Sequence, residues 1–468
     1  MRLDPYRRVL ALPGVRPLMV LAMLARIPIT AIGVTMTLHV AQDLHKGWGA
    51  AGLVGAALTV GTALGGPLNG RFVDRRGLRP MLVVTTVAEA LFWAVAPFLG
   101  FPALLAGAFV AGVFSLPVFS VIRQSIAALV PADQRRQAYA LDSMSVELSF
   151  MAGPPLAVLL TSALSGRTAM WSIGGALVLA GLALWLTNPP VHTSETPGES
   201  APVRRRDWLT PRFVAVLAAA SATTMVLAGT DLGIVAMLRG AGQVGLVGAL
   251  LAAWAVYSLV GGFIYGALPR AVPLVALVGA LALCTIPAGL VGSAWPLLFL
   301  TLLPAGALCA PTLTATIDLT SRLVPASARG EAMGWHGSSL TVGLAIGSPL
   351  AGWAIDRGSP AWGFAAVGLV GALAAGVLLC FRHLDSPAPA APAAATAPAP
   401  PTPSTPAAAA AAAAAPTPAT PSTPADTTAA AATASASYTP SAPEPASTLP
   451  AALTVDFAIS SERSASAR

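Results

Sequence analysis

Long apolar runs, separated by short polar segments, make up the first 385 residues of the chain. Each is about 20 residues long, enough for a helix rising about 1.5 Å per residue to cross a hydrocarbon core about 30 Å thick. The runs are unbroken, unlike the short alternating segments of a membrane β-barrel, and a helix satisfies its own backbone hydrogen bonds in lipid. The pattern therefore predicts an all-α membrane protein with twelve transmembrane helices at residues 17–40, 49–70, 80–99, 101–122, 141–164, 168–187, 213–237, 243–267, 272–292, 295–318, 333–355 and 361–381.

Composition agrees with this prediction, since 55% of the residues are hydrophobic and the mean hydropathy is +0.74. The three cysteines, Cys284, Cys309 and Cys380, fall within predicted spans without ligand spacing, so neither a disulfide nor a metal site is expected. No phosphate-binding GxxxxGK[ST] loop occurs, which excludes ATP-driven transport by this chain itself. No loop is long enough to house an enzyme, so we expect no catalytic residue and no cofactor.

The arginines indicate the orientation in the membrane. With the N-terminus inside, the cytoplasmic flanks of the spans carry 19 basic residues and the outer loops carry 4. This asymmetry predicts a multi-pass protein of the inner (plasma) membrane with both termini in the cytoplasm. Basic loops facing an anionic leaflet also account for the net charge of +7, so a nucleic-acid partner is not expected.

An internal repeat appears when the chain is shifted by 194 residues. The "LVPA" of 129–132 then falls on that of 323–326, Pro117 falls on Pro311, and "GPPLA" (153–157) falls on "GSPLA" (347–351). A repeat of six spans predicts two parallel six-helix bundles with a substrate path between them. We expect bundles at residues 1–187 and 213–385, a flexible cytoplasmic linker at 188–212, and a disordered tail rich in Ala, Pro, Ser and Thr at 386–468.

The turn between the second and third spans carries a glycine, a central acid and several arginines, in the stretch "NGRFVDRRGLRP" (69–80). With twelve spans and the repeat, this "GxxxDRxGxR" turn resembles that of the major facilitator superfamily of secondary transporters. The resemblance implies alternating access between two bundles, with the acid latching the halves through the positive end of a helix dipole. The residues implied are Gly70, Asp74, Arg75, Gly77 and Arg79. The corresponding turn of the second half keeps Gly266 but has no acid, so we expect a one-sided latch.

Ionisable residues inside spans cost about 2.5–3.5 kcal/mol each on insertion scales and usually face a partner or a cavity. In the resembled family, the spans that carry Arg26, Glu147 and Asp231 line or flank the path. We hypothesise that Arg26 pairs with Glu147 or with Asp231 and that one carboxylate carries a coupling proton. A static ion pair without proton coupling is the alternative. Glu89, in the third span, has no role in this scheme.

Smaller polar and aromatic residues share faces with these charges. Those that could line a cavity are Thr30, Trp254, Ser258, Tyr265, His336 and Ser339, although small residues also serve close helix packing and His336 also fits a structural role. Gly153 and Pro154 predict a bend in the fifth span. They partly resemble the antiporter signature of the family, but Ser149 stands where that signature begins with glycine. The fourth span also has Arg123 and Gln124 only at its predicted end, a further departure from proton-coupled exporters.

The sequence thus predicts a monomeric membrane transporter for a small molecule, with proton-coupled efflux of an amphipathic or hydrophobic compound as the favoured activity. A sugar or metabolite permease of the same fold is the alternative within the class. A sensor or scaffold without transport is the alternative from another class, and the intramembrane charges disfavour it.

Overall fold

A computed structural model of the protein describes residues 4–191, 204–292 and 294–380. The predicted tail and residues 192–203 of the predicted linker lie outside these described residues. Within them, twelve helical segments are long and apolar enough to cross a membrane, which confirms the predicted number. Spans 1 to 12 are Val15–Asp43, Gly49–Arg76, Leu78–Phe98, Phe101–Leu129, Arg135–Ala163, Gly166–Thr187, Pro211–Gly240, Val247–Ala267, Leu274–Val291, Trp295–Leu323, Ala326–Asp356 and Pro360–Leu379.

We call spans 1–6 the N-terminal half and spans 7–12 the C-terminal half. The turns near residues 77, 130–134, 268–273 and 324–328 share one end of the helices, which we call the arginine-rich end. Spans 4, 5 and 11 extend further toward this end than predicted, by between six and seven residues each. The extra turns are too polar to be recognised as membrane-spanning from their hydropathy. They can be polar because they pack against the other half instead of facing lipid.

The spans turn large apolar side chains outward and small residues inward. Leu179 and Leu373 are 67% and 71% exposed in the absence of lipid, whereas alanines such as Ala22 and Ala310 are fully buried. Small residues let helix backbones approach closely, which is how helices associate where lipid removes the hydrophobic driving force. Across the halves, span 2 packs on span 11 and span 5 packs on span 8.

Two short helices flank the spans at the arginine-rich end. The first, Asp4–Ala11, precedes span 1 and buries Tyr6 and Val9. The second, Arg205–Trp208, precedes span 7, and its Trp208 is buried beside Phe213 with a ring-centroid distance of 5.3 Å. The C-terminal end of the predicted linker is therefore anchored to the second half.

Candidate functional site

Asp74 of span 2 contacts the first turn of span 11 in the other half. One carboxylate oxygen accepts a hydrogen bond from the backbone N–H of Gly330 at 2.9 Å, and the other accepts from that of Glu331 at 2.7 Å. The helix Arg329–Asp356 begins here, so these N–H groups have no acceptor within the helix and lie at its positive end. One carboxylate therefore joins the two halves at the arginine-rich end.

Glycines bring the two helices close enough for this contact. Gly66 faces Gly334 and Gly70 faces Gly330, and a Cβ added at Gly70 would overlap the backbone of Gly330. Only glycine allows this approach without displacing one helix. Gly77 has a different function, since its φ of +86° ends the helix of span 2 immediately after Arg76.

The arginines of the predicted motif occupy different surroundings. Arg75 is exposed, and the guanidinium of Arg79 lies 5.4 Å from the ring centroid of Trp185. Glu331 is nearly buried and forms an ion pair with Arg205 of the short helix before span 7. The motif thus combines one contact across the halves with basic side chains that stay near the surface.

The one-sided acidic latch stays a prediction, but contacts of another kind join the halves on the side that lacks the acid. On the opposite side of the arginine-rich end, the Tyr6 hydroxyl donates to the carbonyl of Phe263 at 2.5 Å and stacks on its ring with centroids 4.9 Å apart. Arg136 of span 5 donates to the carbonyl of Leu268. Backbone carbonyls of span 8 and of the residue that follows it serve here as acceptors, so the halves are joined on this side without an acidic side chain.

Arg26 pairs with Asp142, not with Glu147 or Asp231 as hypothesised. Its Nη2 lies 2.6 Å from Oδ1 of Asp142, and neither side chain is exposed to solvent. The other carboxylate oxygen lies 3.5 Å from Nε of Arg123. The physical reason is the register of span 5, which begins at Arg135 and so carries Asp142 to the depth of Arg26.

The C-terminal half closes over this group of charges with His336. Its Nδ1 lies 3.4 Å from Nη1 of Arg123, and its Nε2 lies 3.0 Å from the hydroxyl of Thr316. Because arginine can only donate, the contact assigns the ring proton to Nε2. Phe119 packs against both guanidiniums, 4.9 Å from that of Arg26. We call Arg26, Arg123, Asp142 and His336 the basic cluster.

Glu147 and Asp231 form a second group, deeper in the membrane. Glu147 accepts a hydrogen bond of 2.8 Å from the hydroxyl of Ser258 in span 8. Asp231 of span 7 lies within electrostatic range of Glu147, although no hydrogen bond joins the two carboxylates. Neither has an ion-pair partner among the described residues, so two acids from opposite halves share one site without a cation. We call Glu147, Asp231 and Ser258 the acidic site.

The other predicted cavity residues are distributed along the interface between the halves and within them. Ser339 donates to the carbonyl of His336, and Tyr265 is buried under the guanidinium of Arg136. Trp254 is buried in the apolar core of the C-terminal half. A concavity of about 600 Å³ lies between spans 2 and 4, lined by apolar residues such as Leu53 and Phe109, and none of the predicted lining residues contributes to it.

Gly153 and Pro154 lie inside the continuous helix Arg135–Ala163. Gly153 faces Thr30 and the backbone of span 1, so the absence of a side chain allows these helices to touch. The Thr30 hydroxyl lies 2.8 Å from the carbonyl of Ser149 in the same contact. The glycine therefore serves close packing, and the predicted bend stays a prediction.

Sequence reasoning missed Asp142 because the predicted fifth span began only one residue earlier. It also left Arg123 at the edge of span 4. Both side chains are almost completely buried. The available signal was the cost of burying charge: an acid and an arginine within one turn of two predicted boundaries are better explained by a buried pair than by two exposed ends.

The family model for the Major Facilitator Superfamily matches residues 18–294 and 240–454. No curated protein matches the chain by sequence. Solved structures resemble its fold at low sequence identity.

A bacterial homologue of the iron transporter ferroportin in its outward-facing state has a TM-score of 0.63 and 14% identity, over 79% of this chain and 98% of that one. The human organic anion transporter MFSD10 (TETRAN) has a TM-score of 0.61 and 18% identity, over 78% of this chain and all of that one. The proton:xylose symporter XylE, bound to 6-bromo-6-deoxy-D-glucose, has a TM-score of 0.61 and 13% identity, over 79% and 96%. Since the family model spans both halves and these transporters share the fold, the chain belongs to the major facilitator superfamily of membrane transporters.

Proposed function

We propose that the protein is a secondary transporter that exports a small amphipathic or hydrophobic molecule in exchange for protons. The arginine-rich end faces the cytoplasm, because cytoplasmic loops of membrane proteins carry an excess of basic residues. Both termini lie in the cytoplasm. The protein acts as a monomer in the inner membrane, moving its substrate by alternating access between the two halves.

The observation that carries proton coupling is the acidic site. Two carboxylates from opposite halves lie within electrostatic range of each other at depth, and no basic side chain forms an ion pair with either of them within the described residues. A proton on either carboxylate relieves their mutual repulsion, as it does for neighbouring acids in general. Because Glu147 and Asp231 belong to different halves, opening the path between the halves separates them and changes their hold on the proton.

The contacts at the arginine-rich end support an outward-facing state. Asp74, Tyr6 and Arg136 all join the halves at that end. When it opens, the Gly330 and Glu331 N–H groups exchange the Asp74 carboxylate for water. The free-energy cost of this exchange is offset by new contacts that form when the opposite end of the protein closes. A modest binding free energy of substrate or proton can therefore shift the equilibrium between the outward-facing and inward-facing states.

Transport by purified protein in sealed vesicles tests the proposal. We expect export of amphipathic compounds to rise with an imposed proton gradient, and Glu147→Gln or Asp231→Asn to abolish that dependence. Asp133→Asn is the matched control, because Asp133 is an exposed acid in the turn at 130–134. Unchanged gradient dependence in both variants would remove proton coupling from the proposal.

The same vesicles test the alternatives. Two of the solved structures with this fold are proton symporters for xylose and fucose. Transport of sugars but of no amphipathic compound would favour a permease. Absence of transport for every solute tried, by protein shown to be folded, would favour a sensor or scaffold.

A further inference from the structure

Span 4 is broken in the middle of the membrane. Its first helix, Phe101–Val113, ends four residues before its second helix, Val118–Leu129, begins. Pro117 lies at the break and has no N–H to donate to the carbonyl of Val113. A break at this depth leaves backbone groups that need partners, because lipid offers none.

Two side chains from neighbouring spans provide these partners. The amide nitrogen of Asn69, in span 2, lies 3.1 Å from the carbonyl oxygen of Val113, which is the acceptor that Pro117 cannot serve. The carboxylate of Glu89, in span 3, accepts the N–H of Leu116 at 3.3 Å. The other oxygen of Glu89 accepts from the indole of Trp93 at 2.7 Å. Asn69 and Glu89 are both buried.

The second half provides an internal comparison. Pro311 occupies the place of Pro117 in the repeat, yet it lies inside the unbroken helix Leu303–Leu323. Spans 8 and 9, which correspond to spans 2 and 3, contain neither an asparagine nor an acidic residue. A proline alone therefore does not break the helix, and the break coincides with the two polar side chains that stabilise it.

Span 2 connects the break to the contact between the halves. Gly61, Gly65 and Asn69, spaced by four residues, face span 4. Gly66, Gly70 and Asp74, also spaced by four, face span 11. One face of span 2 thus contacts the break in span 4, and the adjacent face of the same helix contacts the C-terminal half.

The second helix of span 4 carries Arg123, which belongs to the basic cluster. Phe119 and Arg123 follow the break by two and six residues. The position of this short helix sets the distance from Arg123 to Asp142 and to His336 of the other half.

We propose that Glu89 and Asn69 are positioning residues that hold the break in span 4, and so couple the Asp74 contact to the placement of Arg123 in the basic cluster. The inference rests on the proposed transport function and assigns a role to Glu89. When span 2 leaves span 11, it carries Asn69 with it, and the second helix of span 4 shifts relative to Asp142.

The test combines variants of the break with distance measurements between spin labels at the arginine-rich ends of the two halves. Replacing Pro117 with alanine restores an N–H for the carbonyl of Val113, so Asn69 then becomes dispensable. We expect Asn69→Ala alone to change the ratio of closed to open protein by about fivefold, the equivalent of one hydrogen bond of about 1 kcal/mol. In the Pro117→Ala background the same change should have an effect below about twofold, since the bond is already replaced.

Glu89 is tested by a conservative and a non-conservative replacement. Glu89→Gln keeps one carbonyl oxygen for the N–H of Leu116 but loses the acceptor for the indole of Trp93, so we expect its label distances and transport to stay closer to wild type than those of Glu89→Leu. Glu89→Leu should shift the distances and raise the substrate KM, and if it fails to fold, the Asn69 and Pro117 variants still decide the matter. Thr85→Val is the control, because Thr85 is buried in the same helix and bonds only to its own helix.

Equal effects of Asn69→Ala in both backgrounds would overturn the inference, as would variants that lower the melting temperature without changing the distances. The distance measurement needs no substrate. A wild-type protein that transports nothing therefore refutes the proposed function, whereas transport that is insensitive to the break refutes only the coupling.

Discussion

Arg26 and Asp142 form a fully buried ion pair, 2.6 Å apart, between two membrane-spanning helices. Asp142 is shared with Arg123, so one carboxylate compensates two guanidiniums. Removing one partner of a buried pair leaves an uncompensated charge and typically costs about 3–5 kcal/mol. The pair therefore makes a sharp prediction for stability.

We expect Asp142→Asn to lower the melting temperature of the purified protein strongly, because it leaves two buried guanidiniums without an anion. The double variant Arg26→Gln with Asp142→Asn should recover part of the loss, because it also removes one of these positive charges. Arg322→Gln is the control, since the ion pair of Arg322 with Asp318 is half exposed and should be worth at most about 1 kcal/mol. Equal losses for the buried and the half-exposed pair would contradict this account.

The contact of Asp74 makes a prediction for conformation. Asp74→Asn removes the charge from two charge-assisted hydrogen bonds, each worth about 1.5–3 kcal/mol. We therefore expect the open fraction of the arginine-rich end to rise at least about tenfold, measured as the distance between labels on spans 2 and 11. Asp133→Asn should leave the distribution unchanged. A distribution that stays closed in Asp74→Asn would mean that Tyr6 and Arg136 suffice.

The glycine stripe makes a steric prediction for the same end. Gly70→Val places a branched side chain against the backbone of Gly330, so the two helices cannot approach as closely. We expect the label distance to lengthen even though Asp74 is intact. Gly52→Val is the control in the same span, because no atom lies near the position its Cβ would occupy. Unchanged distances in Gly70→Val would show that the contact tolerates separation.

Hydrophobic patterning was sufficient to predict the number of spans, because the bilayer imposes one length and one polarity on every crossing. The resemblance of the turn around Asp74 to that of the major facilitator superfamily implied a contact of this acid with the other half, and the contact is made with the first turn of span 11. The predicted partner of Arg26 was wrong, because hydropathy placed the start of span 5 at residue 141 and so left Asp142 at the edge of the span. The real helix begins at Arg135, since its polar first turns face the other half.

Glu89 could not be interpreted from sequence for a different reason. Its partners are the indole of Trp93 and a backbone N–H that is free only because span 4 is broken before Pro117. A backbone group leaves no trace in the pattern of side chains. The equivalent proline in span 10 lies in an intact helix, so Pro117 alone does not account for the break, which also depends on packing with spans 2 and 3.

Tyr6 makes a prediction for pH. Burial raises the pKa of its hydroxyl from about 10 to about 12, although the positive charge of Arg136 opposes part of this shift. A raised pKa means that the closed arrangement favours the neutral phenol, which is the form that donates to Phe263.

The contribution of Tyr6 to closure is therefore complete below pH about 10 and is lost as the pH rises toward about 12. In detergent or nanodiscs, we expect the ratio of closed to open protein to be constant from pH 7 to pH 9 and to fall by about tenfold at pH 11, one pH unit above the ordinary pKa of tyrosine. Tyr6→Phe should reduce closure by the value of one hydrogen bond and abolish this alkaline decline, because phenylalanine has no proton to lose. A decline of the same size in Tyr6→Phe would assign it to another group.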